Sequence, residues 1–121
     1  MVCSFDDFCA WRDRLVASDK LIIVEGPKDE WALQKIGVTN IILVLSKKPL
    51  YAVVESAASL SKDVVILTDL DREGKKLYGR LNSDLQRFGV RIDNRFREYL
   101  FKETKLRQIE GIDSYLDALA S

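Results

Sequence analysis

Leu21-Ile22-Ile23-Val24-Glu25-Gly26-Pro27 and Val64-Val65-Ile66-Leu67-Thr68-Asp69-Leu70-Asp71-Arg72-Glu73-Gly74 decide the fold. Each opens with a continuous apolar run of strand length, the pattern of a strand buried on both faces. Each then gives way to acid and glycine. A third such run, Ile41-Ile42-Leu43-Val44-Leu45, lies between them and ends in Ser46-Lys47-Lys48-Pro49. The intervening stretches keep helical spacing instead. Residues 28–36 predict a helix with Trp31, Ala32 and Ile36 facing inward and Gly37 as its stop. Residues 50–60 predict another. Residues 75–88 predict a long one, with Leu77, Leu81, Leu85 and Phe88 on one face and Gly89 closing it.

Working outward, residues 4–18 read as an amphipathic helix. Ser4 caps it, and Phe5, Phe8, Cys9, Leu15 and Val16 form its apolar face. Residues 90–92 read as a short edge strand, and Asp93 or Asn94 as the cap of a helix through Phe101. Ile109 to Gly111 read as a last strand or turn before a final helix over 112–119. Trp11 and Trp31 are expected in the core, Cys3 and Cys9 as small buried apolar groups. Strands alternating with helices predict an α/β fold, Rossmann-like, with a mostly parallel sheet of about four strands covered by helices on both faces. The 121 residues are expected to form one domain. Its parts would be an N-terminal helix at about 4–18, a core over about 20–110 and a C-terminal helix at about 112–119.

Composition narrows the chemistry. With two cysteines and no histidine, a Cys/His zinc site and a histidine general base are both excluded. No apolar run approaches the ~20 residues of a membrane span. The N-terminal stretch is acidic where a secretory leader would be basic, so a cytoplasmic protein without a membrane partner is expected. The 19 basic and 19 acidic residues balance, but they are not mixed evenly. Residues 72–107 hold eleven Lys and Arg against five Asp and Glu, directly after the densest acidic cluster. Carboxylates suit a cation and neighbouring lysines suit a phosphate, and this contrast supplies both.

In an open parallel sheet, ligands bind beyond the carboxyl ends of the strands. Glu25 ends the first run, and Asp69, Asp71 and Glu73 follow the third. If those strands are neighbours, the acids share one rim, and their mutual repulsion calls for a divalent cation. Oxygen ligands without sulfur or imidazole favour Mg2+, with Mn2+ as a substitute. Gly26 and Gly74 are expected to let backbone approach a phosphate closely. Lys28, Lys47, Lys48, Arg72 and Lys75 are the nearby cations expected to bind phosphate or nucleic acid. There is no Gly-x-Gly-x-x-Gly and no Walker-type Gly-Lys-Ser/Thr, so a nucleotide-phosphate loop is not expected.

A strand ending in Glu-Gly followed by a later strand ending in Asp-x-Asp resembles the Toprim domain. That domain is shared by type IA topoisomerases, bacterial-type primases, topoisomerase II enzymes, recombination-repair proteins and a ribonuclease that matures 5S ribosomal RNA. The resemblance runs over about residues 20–110. It implies a Toprim fold, with Glu25 as general acid/base or metal ligand, Asp69 and Asp71 on magnesium, and Glu73 as a further ligand. The length leaves no room for a topoisomerase's separate tyrosine domain, and no zinc segment of a primase is present. What remains resembles the small stand-alone primase-like Toprim proteins. That likeness implies a Mg2+-dependent nuclease or phosphotransfer domain on structured RNA, with RNA favoured over DNA and ribosomal RNA or a ribonucleoprotein as partner. The alternative is a module that binds RNA or a ribonucleoprotein at the same rim without turnover. For that module, charge reversal at Arg72, Arg95 or Arg97 is expected to weaken binding.

Overall fold

The computed structural model describes residues 3–121. Met1 and Val2, which begin the stretch read above for a secretory leader, lie outside the described residues. Helix α1 spans Phe5–Ser18, strand β1 Leu21–Val24, α2 Pro27–Lys35, β2 Ile42–Val44, α3 Leu50–Leu60 and β3 Asp63–Leu67. Helix α4 spans Arg72–Arg87, β4 Arg91–Ile92, α5 Arg95–Glu103 and α6 Ile112–Ala120. Two 3-10 turns, Leu45–Lys47 and Ile109–Gly111, complete the elements among the described residues.

The four strands form one parallel sheet in the order β2-β1-β3-β4. Side chains alternate across it, as a period of two requires. Ile22, Val24, Val65 and Leu67 face a core closed by α1, α2, α5 and α6. Leu21, Ile23, Val64 and Ile66 face a second core closed by α3 and α4. Both faces of β1 and β3 are therefore dry, which is why their sequences read as unbroken apolar runs. Trp11 is fully buried in the first core and donates its indole N–H to the carbonyl of Phe96, so its polar atom is satisfied there.

Several expectations need correction. Trp31 is 58% exposed, because α2 turns Ala32, Leu33 and Ile36 inward and leaves Trp31 outside with the Lys35 ammonium over its ring. Strand β2 is shorter than its apolar run, since Leu45–Lys47 wind into a 3-10 turn. It is an edge strand, so Ile41 is solvent-exposed. Phe5 and Phe88 are exposed too, at the ends of helices whose middle turns carry the contacts with the sheet. Cys9 is half-buried whereas Cys3 is buried, and both are free thiols. Helix α4 starts at Arg72, three residues early, because Asp71 caps it by accepting the N–H of Gly74 at 2.8 Å. Gly89 follows it with φ +75°, the left-handed conformation that closes a helix with least strain on glycine. No described helix is long and apolar enough to cross a membrane.

Candidate functional site

Register brings the acids together. Val24 pairs with Val44 on one side and with Leu67 on the other, so β1, β2 and β3 end level. The residue beyond Val24 is Glu25, and two beyond Leu67 is Asp69. One carboxylate oxygen of Glu25 accepts the backbone N–H of Asp69 at 2.6 Å, across 44 residues of chain. The carbonyl of Glu25 accepts the N–H of Ser46 at 3.1 Å, which fixes the Lys47-Lys48 turn to the same rim.

The second acid is held as firmly. Asp69 accepts the N–H of Ile109 at 2.8 Å through one oxygen, and Leu70 donates its N–H to the carbonyl of Arg107. Asp71 uses one oxygen as the cap of α4. Glu25, Asp69 and Asp71 thus each place one oxygen on a backbone N–H. The other oxygen of each has no hydrogen-bond partner among the described residues. Such backbone bonds orient a carboxylate and leave its outer oxygen for a ligand. Among the described residues, no three Asp, Glu, Cys or His groups are placed so that together they could hold a metal ion. The donor set itself is all oxygen and fits a hard divalent cation.

Electrostatics point the same way. Burial raises the Glu25 pKa, and the charges of Asp69, Asp71 and Asp29 add to that rise against the Asp69 N–H, which lowers it. Asp69 is likewise raised, by burial first and then by Asp71 and Glu110, while the Ile109 N–H and Arg97 pull it down. Asp29 is buried, and burial raises its pKa, with Asp69 and Glu110 adding to the rise. These acids therefore crowd one another at the rim, and a cation there would relieve the repulsion.

Asp29 and Glu110 were not among the expected site residues, and Arg97 was expected on an RNA-binding surface and not beside the acids. Asp29 accepts the N–H of Gly26 at 3.0 Å, reaching back from the first turn of α2. Its position three residues after Gly26 is the spacing of a capping box, so that signal was available in sequence. Arg97, from α5, is half-buried and donates to the carbonyls of Thr68 and Asp69 at 2.9 and 2.7 Å. Its guanidinium lies over the rings of Tyr78 and Phe101. Glu110 follows Ile109 in the second 3-10 turn. No local pattern marks Arg97 or Glu110, because only tertiary packing brings them here.

The expected cations divide. Lys28 and Lys48 are exposed, and Lys47 faces Glu30 at 3.6 Å. Arg72, Glu73 and Lys75 lie in the exposed first turn of α4. Of the arginines expected on an RNA-binding surface, Arg95 is paired with Asp93 at 2.9 Å and Arg97 points inward. Gly26 has open space where a Cβ would stand. The close approach at Gly74 is to the protein's own chain: a Cβ there would meet the carbonyl oxygen of Asp69 at 2.0 Å.

The same arrangement has relatives. The chain is 45% identical over 101 residues to a UPF0292 protein of Pyrococcus abyssi, an overlap of 84% of this chain and 75% of that protein. It is 32% identical over 107 residues to a UPF0292 protein of Methanocaldococcus jannaschii, covering 86% of this chain and 84% of the other. Among solved structures, a putative protein from Aquifex aeolicus matches with a TM-score of 0.79 at 29% identity, over 86% of this chain and 96% of that one. The model of the Toprim domain matches residues 19–94, which span β1 to β4 and contain both acidic strand ends. With that match over more than half its length, the chain belongs to the Toprim family.

Proposed function

We propose that this protein binds Mg2+ through Asp69, Asp71 and Glu25, with Glu73 at the periphery, and acts on a phosphodiester of RNA. A Toprim domain carries with it a general association with nucleic acid and divalent metal. The observation that supports the finer reading is the Glu25–Asp69 contact, which joins the two acidic strand ends and leaves the second oxygen of each acid without a hydrogen-bond partner among the described residues. Mg2+, when bound, would neutralise charge on phosphate oxygens. Where Glu25 stands off the metal, its carboxyl, with a pKa raised by burial, would instead hold or move a proton at the reacting oxygen. Asp69 and Asp71 would supply ligand oxygens, and Lys28, Lys48, Arg72 and Lys75 would meet flanking phosphates. Preference for RNA, including ribosomal RNA, rests on the likeness to small primase-like members of the family.

Calorimetric titration with Mn2+, paired with cleavage assays on a folded ribosomal RNA fragment, tests this reading. Asp69→Asn should weaken Mn2+ binding by at least ~10-fold, the size seen even when groups around metal ligands are removed. Glu25→Gln should abolish cleavage with an unchanged circular dichroism spectrum. Equal cleavage by wild type and both variants would overturn it. The second reading, binding without turnover, draws on the exposed cations of α4. It is distinguished by salt-sensitive binding with no product at any Mg2+ concentration.

A further inference from the structure

The segment after α5 lies beyond residues 19–94, the part matched by the family model, yet it forms one wall of the acidic rim. Between it and the start of α4 runs an open groove of about 660 Å³, bounded by Leu70, Asp71, Lys75, Lys105, Leu106 and Arg107. Its size falls within the ~300–1,000 Å³ typical of clefts for small ligands. Its two walls are tied together at the acid end, by Leu70 N–H to the Arg107 carbonyl at 2.9 Å and by Ile109 N–H to Asp69 at 2.8 Å. The groove therefore meets the acidic rim at Asp71, which bounds it, and keeps its shape there.

Its chemistry is split. The apolar bounds are Leu70, half-buried, and Leu106, whose 9% exposed edge is all that reaches the groove. The exposed cations Lys75, Lys105 and Arg107 bound the same groove, and none has a carboxylate within 4.0 Å among the described residues. Near the opposite end of the sheet, by contrast, Lys20 and Arg95 are paired with Asp93 and Arg91 with Asp63. Unpaired cations beside an apolar cleft match a ligand with regular negative charges and flat, weakly polar groups between them. A paired helix offers phosphates but keeps its bases stacked inside. An unpaired strand offers both.

Resting on the nucleic-acid reading above, we infer that this groove seats an unpaired polynucleotide strand that leads into the acidic rim, its phosphates on Lys75, Lys105 and Arg107. Its sugars and bases lie against Leu70 and Leu106. The groove's bounds include no aromatic ring on which a base would stack, so the strand is held without strong sequence preference. On a folded RNA, the target is accordingly a single-stranded end or junction rather than a helix.

Fluorescence anisotropy in Mg2+ tests this with a labelled unpaired RNA oligonucleotide, a blunt duplex of equal length and a labelled mononucleotide. The unpaired strand should bind at least ~10-fold tighter than the duplex. Lys105→Glu and Arg107→Glu should each weaken it several-fold and make the slope of log affinity against log salt shallower by ~0.7, one phosphate contact on a single strand. Lys62→Glu makes the same charge change at an exposed site beside the N-terminal end of β3 and should bind as wild type does. Thermal melting of each variant checks that the fold is kept. The groove assignment is overturned if the duplex or the mononucleotide binds as tightly, or if the Lys105 and Arg107 variants bind as wild type does. In those cases the nucleic-acid reading still stands. If no oligonucleotide binds even at low salt, that reading falls as well.

Discussion

Gly74 stands so close to the acid loop that its missing side chain is part of the site. A Cβ there would lie 2.0 Å from the Asp69 carbonyl oxygen and 2.6 Å from its carbon, both backbone atoms. No rotamer change can relieve such a contact, so either α4 or the Asp69 loop must move. Thr68 reinforces the approach by donating its hydroxyl to the Gly74 carbonyl at 2.8 Å, buried. Gly74→Ala should therefore cost at least the ~1–3 kcal/mol of an overpacked core, read from urea unfolding. A loss well under ~1 kcal/mol would show that the loop yields freely. Gly26→Ala should be nearly silent in the same assay, because nothing lies within 4 Å and its φ is −139°. Asp71 has two duties that a single substitution separates. Asp71→Asn keeps an oxygen for the Gly74 N–H and should hold stability within ~0.5 kcal/mol, whereas Asp71→Ala should lose ~1 kcal/mol of capping. Both remove the charge, so both should weaken Mn2+ binding. A cap-only role for Asp71 would leave Mn2+ affinity untouched in the Asn variant.

At the scale of elements, Arg97 ties α5 to the backbone just beyond β3, in addition to the apolar packing between them. Arg97 reaches the carbonyls of Thr68 and Asp69 with a fork that lysine cannot copy. Arg97→Ala should cost ~2 kcal/mol, the range for hydrogen bonds from a charged donor, and Arg97→Lys should recover only part of it. Full recovery in the lysine variant would mean that charge alone matters. The fold's elements were largely legible because β1 and β3 are covered on both faces, which forces continuous apolar runs. β2 was read too long for the converse reason: an edge strand needs no sequence limit where its partner ends. Trp31 was misplaced because helical spacing gives the period of a face but not which face turns inward. Glu25, Asp69 and Asp71 were legible as a set because parallel register places successive strand ends on one rim. Arg97, Glu110 and the 105–107 wall come from helices packed over that rim, and nothing in their local sequence records where they dock.

For the whole molecule, the two ends of the sheet carry opposite responses to acid. At the carboxyl ends, Glu25, Asp29 and Asp69 have raised pKa values, mainly through burial. The folded form then holds protons more tightly than the unfolded chain. Their ionisation costs stability at neutral pH, and that cost fades as pH falls toward the ordinary carboxylate value near ~4. Near the other end, hydrogen bonds from Arg95 and Lys20 hold Asp93 far below the usual carboxylate range. Its contribution is complete above ~4 and is lost only below it. Above ~4 Asp93 stays ionised and only the first group changes, so metal-free protein in EDTA should melt at a higher temperature as the pH is lowered from 7 toward ~4. Mg2+ acts on the same repulsion. At ~100 times its dissociation constant it should add ~2.7 kcal/mol at pH 7, a shift of several degrees, and less at pH 5, where protons compete for the same oxygens. Scanning calorimetry at the two pH values, with and without Mg2+, gives four melting temperatures. A metal-free protein that melts lower at pH 5, or a Mg2+ shift no smaller there, would mean that the rim acids do not carry the shared, relievable charge on which cation binding depends.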